Sequence, residues 1–207
     1  MQRGLLLESD PRLPSVCTLI AGEPLRGSWW SHPQAQAIFR VNEQLSDHRD
    51  VLIAKLISGK VTFVHRKLWP EILAVGVARD EWQTKGLSRD ARLLLGMIDE
   101  QSSLRTDEIK WSGGKHLKPG EAARELEKRL LIHSEELHTA SGAHAKLLET
   151  WQQWAKRADF TPQRILPDDA KKTLAEKIEK LNEEFGAQAR LPWDALRKTR
   201  LANTDRS

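Results

Sequence analysis

The sequence predicts a mainly α-helical fold with small β-hairpins, organised as tandem winged helix-turn-helix units followed by a C-terminal helix. Through most of the chain, apolar residues recur at the three- and four-residue spacing of amphipathic helices. Two segments instead carry a Ser-Gly pair, at 58–59 and 141–142, where a hairpin would turn. In the second half three predicted helices precede the hairpin, which is the element order of a winged helix-turn-helix.

The first half predicts two helices, a hairpin and a further helix. Segments 13–22 and 33–45 place apolar residues at helical spacing, and Pro33 suits the first turn of the second segment. Segment 50–66 contains two β-branched runs, which predict the hairpin. Segment 67–78 returns to helical spacing. The first half therefore contains helices and a hairpin like the second, but in the order helix, helix, hairpin, helix.

The second half predicts helices over 87–102, 104–111 and 118–130, the first of them capped by Ser88. A hairpin over 131–149 follows. Two tryptophans after the hairpin also fit a helix, which leaves the length of its second strand open.

These elements divide the chain into three predicted parts. Residues 1–86 form an N-terminal winged-helix-like unit, and residues 87–160 form a C-terminal winged helix-turn-helix. Residues 161–207 contain a helix that begins near Asp168 and ends at Gly186, followed by a polar tail.

Composition is that of a soluble globular protein, with 39% hydrophobic and 30% charged residues among 207. No apolar run approaches the roughly 20 residues of a membrane span, and the single cysteine, Cys17, excludes an internal disulfide. We therefore expect a cytoplasmic protein, with a monomer favoured. The net charge of +4 suits a nucleic-acid partner, although solvated helix faces have the same composition.

A cluster of histidines and glutamates lies in the second hairpin, where it could indicate a metal site. His133 and His138 are five residues apart, however, and on a strand they point to opposite faces. A zinc-protease helix instead needs two histidines four residues apart. We therefore expect no metal.

Catalytic motifs are absent from the sequence: there is no Gly-x-Ser-x-Gly, no P-loop and no dinucleotide-binding glycine pattern. No organic cofactor is expected. The second hairpin is instead interpreted as a wing, whose turn carries Ser141, His144 and Lys146 as small and polar groups that can approach a DNA backbone.

Basic residues mark the predicted helix over 118–130 as the candidate DNA-contacting helix. Arg124 and Lys128 lie four residues apart on its outer face, with Lys115 and Lys118 in the approach. The same charges fit intrahelical ion pairs equally well. The balance of acidic and basic residues favours phosphate contacts over base-specific reading.

In the first half, the candidate contacts are Trp30, His32 and, in the first hairpin turn, Lys60. Trp29 and Trp30 are adjacent, so both cannot face one core. An exposed ring could stack on an unpaired base. A buried wedge between domains is the favoured interpretation.

Two motifs, Gly-Ser-Trp-Trp-x-His-Pro at 27–33 and His-Arg-x-Leu-Trp-Pro at 65–70, carry a resemblance to a family of bacterial winged-helix proteins. The sequence is also distantly similar to the winged-helix DNA glycosylases that release alkylated or crosslinked bases. The similarity spans most of residues 13–155 and is carried by pattern more than by identities.

The resemblance implies a candidate catalytic pair. The glycosylase family carries Gln-apolar-Gln followed by Asp-Pro, whereas here Gln34-Ala35-Gln36 follows His32-Pro33. Either the activity is absent, or Gln34 and Gln36 are the functional pair. The helical pattern that follows predicts one glutamine in solvent, the other packed, and no base excision.

The sequence thus predicts a protein that binds double-stranded DNA, with binding led by phosphate contacts. One alternative is a glycosylase-like enzyme of base-excision repair. The other is a winged-helix adaptor, in which the wing and Trp29-Trp30 bind another protein.

Overall fold

The computed structural model describes residues 4–25, 27–109, 119–138 and 144–194. About half of these residues are helical, and their short strands form two three-stranded antiparallel sheets. The predicted class, mainly α with small hairpins, is confirmed. Among the described helices, none combines the length and the hydrophobicity that a transmembrane span requires.

The chain divides into two compact units. Unit 1 comprises residues 1–72 and 165–207, and unit 2 comprises residues 73–164. The C-terminal helix therefore belongs to the unit formed by the N-terminal residues. The three-part division of the sequence stays a prediction.

Unit 1 combines a small sheet with flanking helices. Its elements in chain order are β1 (Leu5–Leu7), α1 (Val16–Ala21), a 3-10 turn (Trp29–Ser31), α2 (Ala35–Ser46), β2 (Val51–Ile57), β3 (Lys60–His65), a second 3-10 turn (Arg66–Leu68), the start of α3 (Trp69–Val77), and α8 (Pro167–Phe185). The strand order is β1-β3-β2, so the last strand lies in the middle of the sheet.

The hairpin of unit 1 forms where the sequence predicts it. Ser58 and Gly59 connect β2 to β3 with φ angles of 52° and 70°, in the left-handed region that Gly adopts without strain. Alternate residues of β2 are buried, so one face of the sheet packs on the core. β1 was not predicted, because three consecutive leucines show no strand alternation.

Helix α8 belongs to unit 1 and buries one face. Its buried residues, Ala170, Leu174, Ile178 and Leu181, recur at helical spacing. The helix ends at Gly186, as predicted, with φ at 58°. Beyond it, Arg190 O accepts the Ser58 N–H at 2.8 Å, which ties the hairpin turn to the C-terminal segment.

Unit 2 has a sheet of the same order. After the end of α3, its elements are α4 (Glu81–Thr84), α5 (Arg89–Gln101), β4 (Ser103–Arg105), α6 (Pro119–Lys128), β5 (His133–His138), β6 (His144–Glu149) and α7 (Trp151–Arg157). The strand order is β4-β6-β5. Its core contains the fully buried Leu94, Ile98, Leu126 and Leu148, from two helices and the central strand.

Within the described residues, one predicted helix of unit 2 is wrong. Residues 104 and 105 of the segment expected to form the second helix belong to strand β4, and residues 106–108 form a turn. Leu104 pairs with Leu148 in the sheet, a partner 44 positions away that local spacing cannot reveal. Residues 110 and 111 of that segment lie outside the described residues.

Strand β6 continues to Glu149, and a helix begins at Trp151. The second strand of the hairpin is therefore followed directly by the helix that the two tryptophans fit. Thr150 separates them, accepting the Gln153 N–H at 3.2 Å as the helix N-cap. Trp151 is almost fully buried, and its indole N–H donates to Leu130 O at 2.7 Å. The ring lies against Gly76, where an added Cβ would come within 2.5 Å of the indole.

Candidate nucleic-acid interface

An exposed basic pair lies on α6. Ala122, Ala123 and Leu126 face the core of unit 2, which leaves Arg124 and Lys128 exposed on the opposite side, four residues apart. Neither side chain makes an ion pair with any described residue.

Glu125, the acidic residue next to Arg124, contacts other groups. Glu125 accepts the Ser88 N–H at 3.1 Å and lies 3.5 Å from Arg129. Arg129 in turn donates to Lys85 O at 2.7 Å. The intrahelical ion pairs considered from the sequence therefore form at Glu125 and Arg129. They leave the charges of Arg124 and Lys128 available to a partner.

Lys146 in β6 holds the hairpin to α6. Its ammonium lies 2.7 Å from Glu127, a carboxylate that is only 3% exposed and that also accepts from Ser134 at 2.7 Å. The Lys146 N–H donates to the Thr106 hydroxyl at 2.8 Å. Lys146 thus has a structural contact, and its role as a DNA contact stays a prediction.

The histidine–glutamate cluster contains a buried ion-pair network in unit 2. Glu149 is 1% exposed; it lies 3.1 Å from His133 and 2.6 Å from Arg157. Arg157 also lies 2.6 Å from Glu135, at the exposed end of the network. The His133 ring packs against Trp151 and Trp154, at centroid distances of 5.8 and 5.5 Å. The network therefore joins the sheet to α7.

The charged forms of Glu149 and Arg157 are stabilised by their hydrogen bonds within this network. Burial alone would raise the pKa of Glu149, but the hydrogen bonds from His133 and Arg157 outweigh it and hold that pKa below its ordinary value. The hydrogen bond to Glu149 raises the pKa of Arg157. Across the described ranges, no group of three or more His, Cys, Asp and Glu side chains is arranged to hold a metal ion.

In unit 1 the two adjacent tryptophans have opposite environments. Trp29 is 8% exposed and belongs to the core, whereas Trp30 is 64% exposed. Their rings stack with centroids 4.1 Å apart and planes 22° apart. The buried wedge favoured from the sequence is therefore wrong for Trp30, because the one-turn 3-10 helix directs the two rings to the core and to solvent respectively.

Phe39 on α2 extends the exposed aromatic surface. Its ring is 38% exposed and lies 5.8 Å from that of Trp30. Gln36 and Arg40, three residues before Phe39 and one after it, are also exposed. Sequence reasoning missed Phe39 and Arg40, although their spacing from Gln36 places all three on one side of a helix.

His32 and Gln34 lie immediately before α2. The Gln34 N–H donates to His32 Nδ1 at 3.1 Å, and the Ala35 N–H donates to His32 O at 2.9 Å. Gln34 is the N-cap residue, with φ and ψ of −90° and 11°, so the helix proper starts after it. Both Gln34 and Gln36 are exposed, and the expectation that one of them packs is wrong.

Lys60 lies at the start of β3, beside the hairpin turn of unit 1. Its ammonium is 2.7 Å from Asp10, whose pKa is lowered because hydrogen bonds from Lys60, Leu13 and Arg12 outweigh the effect of burial. The residue lines an open groove of about 900 Å³ that also includes Ser9, Arg12 and Leu25. Like Lys146, Lys60 has a carboxylate partner, so its charge is partly neutralised.

Lys115, Lys118 and Ser141 lie outside the described residues. His144 begins β6, where its backbone pairs with that of His138, but the side chains of both lie outside the described part of the structure.

A family model described as AlkZ related matches residues 2–190 of the chain. The chain belongs to this AlkZ-related family. The match spans residues of both units and is consistent with a relation to the AlkZ DNA glycosylases. No curated protein and no solved structure matches the chain.

Membership of the AlkZ-related family agrees with the resemblance to DNA glycosylases that the sequence suggested. It points to DNA and to DNA repair. The winged-helix detail and the site residues stay predictions.

Proposed function

We propose that this AlkZ-related protein is a tandem winged-helix protein that binds double-stranded DNA in DNA repair, with binding led by phosphate contacts. The observation that carries the proposal is the exposed pair Arg124 and Lys128 on α6, the helix that precedes the hairpin of unit 2. Glu125 and Glu127 of this helix are bound to other side chains and backbone groups. The exposed Glu121 offsets one of the two positive charges, so the exposed residues of α6 keep a net positive charge.

The shared topology supports the winged-helix assignment. In each unit a short strand pairs with the last strand of a hairpin, and a helix directly precedes that hairpin. In a helix-turn-helix protein the corresponding helix enters the major groove and its neighbours contact the backbone. On this basis α6 contacts DNA in unit 2, and α2 is the equivalent helix of unit 1.

The experiment compares duplex affinities of the wild type and an Arg124→Ala/Lys128→Ala variant at low salt. We expect the double variant to bind a labelled duplex more weakly, and to do so for unrelated duplex sequences alike, since phosphate contacts carry no sequence information. Lys172→Ala/Lys180→Ala is the matched control, because it also removes two exposed positive charges, here from α8 in unit 1. Equal affinity of the wild type and the double variant contradicts the assignment of α6.

Base excision is the second candidate function. It is favoured by the family relation and by the exposed Gln34, which lies before the regular helix and is free of its geometry. Within a helix, positions two apart diverge by about 200°. Because Gln34 lies outside the regular helix, this divergence does not prevent Gln34 and Gln36 from acting as a pair.

An excision assay on duplex DNA with alkylated bases tests this candidate. Base release that is lost in Gln34→Ala and in Gln36→Ala, but retained in Gln44→Ala on the same helix, establishes the enzyme. Absence of base release by the wild type leaves DNA binding as the function.

A further inference from the structure

Trp30 is a solvent-exposed aromatic ring that stacks on a buried one. One side of its indole lies against the buried Trp29, and the Trp30 backbone N–H donates to the Ser28 hydroxyl at 3.4 Å. The following His32 N–H closes the 3-10 turn on Trp29 O at 3.1 Å. A flat ring held in this way requires little further ordering when a planar ligand stacks on it.

The surroundings of Trp30 combine a second ring with polar groups. Phe39 lies beside it with ring planes 43° apart, and Gln36 and Arg40 are exposed on the same side of α2. A glutamine amide can pair with the edge of a base, and a guanidinium can contact a phosphate. These groups together match one nucleotide.

The same helix face does not match a helical protein partner. Such partners are held by several apolar anchors at positions i, i+3, i+4 and i+7. Counted from Gln36, these positions on α2 hold glutamine, Phe39, Arg40 and Glu43, so only one of the four is apolar.

We propose that Trp30, Phe39 and Gln36 form a stacking site for one unpaired DNA base, with Arg40 placed for its backbone. This inference rests on the proposed function and deepens it by naming the substrate class. In an intact duplex, both faces of a base are covered by its neighbours. The site therefore favours DNA in which a base is bulged, mismatched or extruded.

The test measures binding of two labelled duplexes by fluorescence anisotropy. One contains a single extra unpaired adenine at its centre, and the other has the same sequence fully paired. Stacking of one base on an aromatic side chain changes affinity by roughly 5- to 150-fold. We expect the wild type to prefer the bulged duplex by a factor in this range.

Two aromatic variants and one control show which side chains produce the preference for the bulged duplex. Trp30→Ala is expected to remove it and Phe39→Ala to reduce it, so that these variants bind the two duplexes more nearly alike. Leu19→Ala is the control, because Leu19 is an equally exposed apolar residue of unit 1, at 66%, without an aromatic ring. Thermal unfolding by circular dichroism shows whether Trp30→Ala folds; if it does not, Phe39→Ala decides.

Failure of the site and failure of the proposed function give different results. Equal binding of the two duplexes by the wild type, or a preference that survives in both aromatic variants, overturns the stacking site alone. A wild type that binds neither duplex at low salt overturns the proposed function together with the site, and favours a protein partner.

Discussion

The buried network around Glu149 predicts a large effect of replacing Arg157 with methionine. Arg157 donates three hydrogen bonds to Glu149, two from Nε and one from Nη2. Glu149 is 1% exposed, and the replacement would leave it with His133 as a neighbour. Removing one partner of a buried ion pair costs about 3–5 kcal/mol of unfolding free energy. Because Arg157 is itself 41% exposed, water screens part of this interaction, and His133 stays in place. We therefore expect a loss of about 2 kcal/mol.

Urea unfolding followed by circular dichroism measures this loss. The matched control is Glu135→Gln, which removes the exposed end of the same network, where both side chains are more than 40% exposed. Exposed pairs contribute about 0–1 kcal/mol, so the control should be nearly neutral. A loss below about 0.5 kcal/mol in Arg157→Met, or equal losses in the two variants, would refute a structural role of the buried pair.

The pH dependence of stability provides a second readout of this network. The pKa of Glu149 is lowered in the folded state, because the hydrogen bonds from His133 and Arg157 outweigh burial. A carboxyl group of this kind stabilises the fold above its unfolded-state pKa and loses that contribution as pH falls through its folded-state pKa. The difference between wild type and Arg157→Met should thus be full at neutral pH and shrink below about pH 4.

Three further predictions concern local structure and metal. Gly76→Ala should destabilise unit 2 by about 1–3 kcal/mol, because its Cβ would overlap the Trp151 ring; an unchanged melting temperature would contradict this contact. Ser88→Ala should cost about 1 kcal/mol, since the Ser88 hydroxyl accepts the Ala91 N–H at the start of α5; Ser102→Ala, at the other end of that helix, is the comparison in urea unfolding. The purified protein should contain no stoichiometric zinc by elemental analysis, and one zinc per chain that is lost in His138→Ala would overturn the strand assignment.

Elements with a strong local signal could be predicted from the sequence. The hairpin over β2 and β3 has β-branched runs on both sides of Ser58 and Gly59, and the helices that begin after Ser88 and end at Gly186 have their capping residues in place. Strands β1 and β4 could not be predicted. Each has three residues, too few for a period, and each exists because a distant strand provides its hydrogen bonds.

The candidate site shows the same division between local and distant information. Helical spacing placed Arg124 and Lys128 on an outer face, and both are exposed. The pairing of Lys146 with Glu127 joins two elements 19 positions apart and has no sequence signature. Adjacency showed that Trp29 and Trp30 could not share one core, but only the 3-10 turn determines which ring is exposed.

The salt dependence of duplex binding tests the central claim, phosphate-led DNA binding, most directly. Each phosphate contact adds about 0.9 to the slope of log affinity against log salt concentration. The wild type should therefore lose affinity steeply with salt, and Arg124→Ala/Lys128→Ala should lower the slope by about 1.8 if both side chains contact phosphates. No duplex binding by the wild type at low salt, or a slope that the double variant leaves unchanged, would contradict the account.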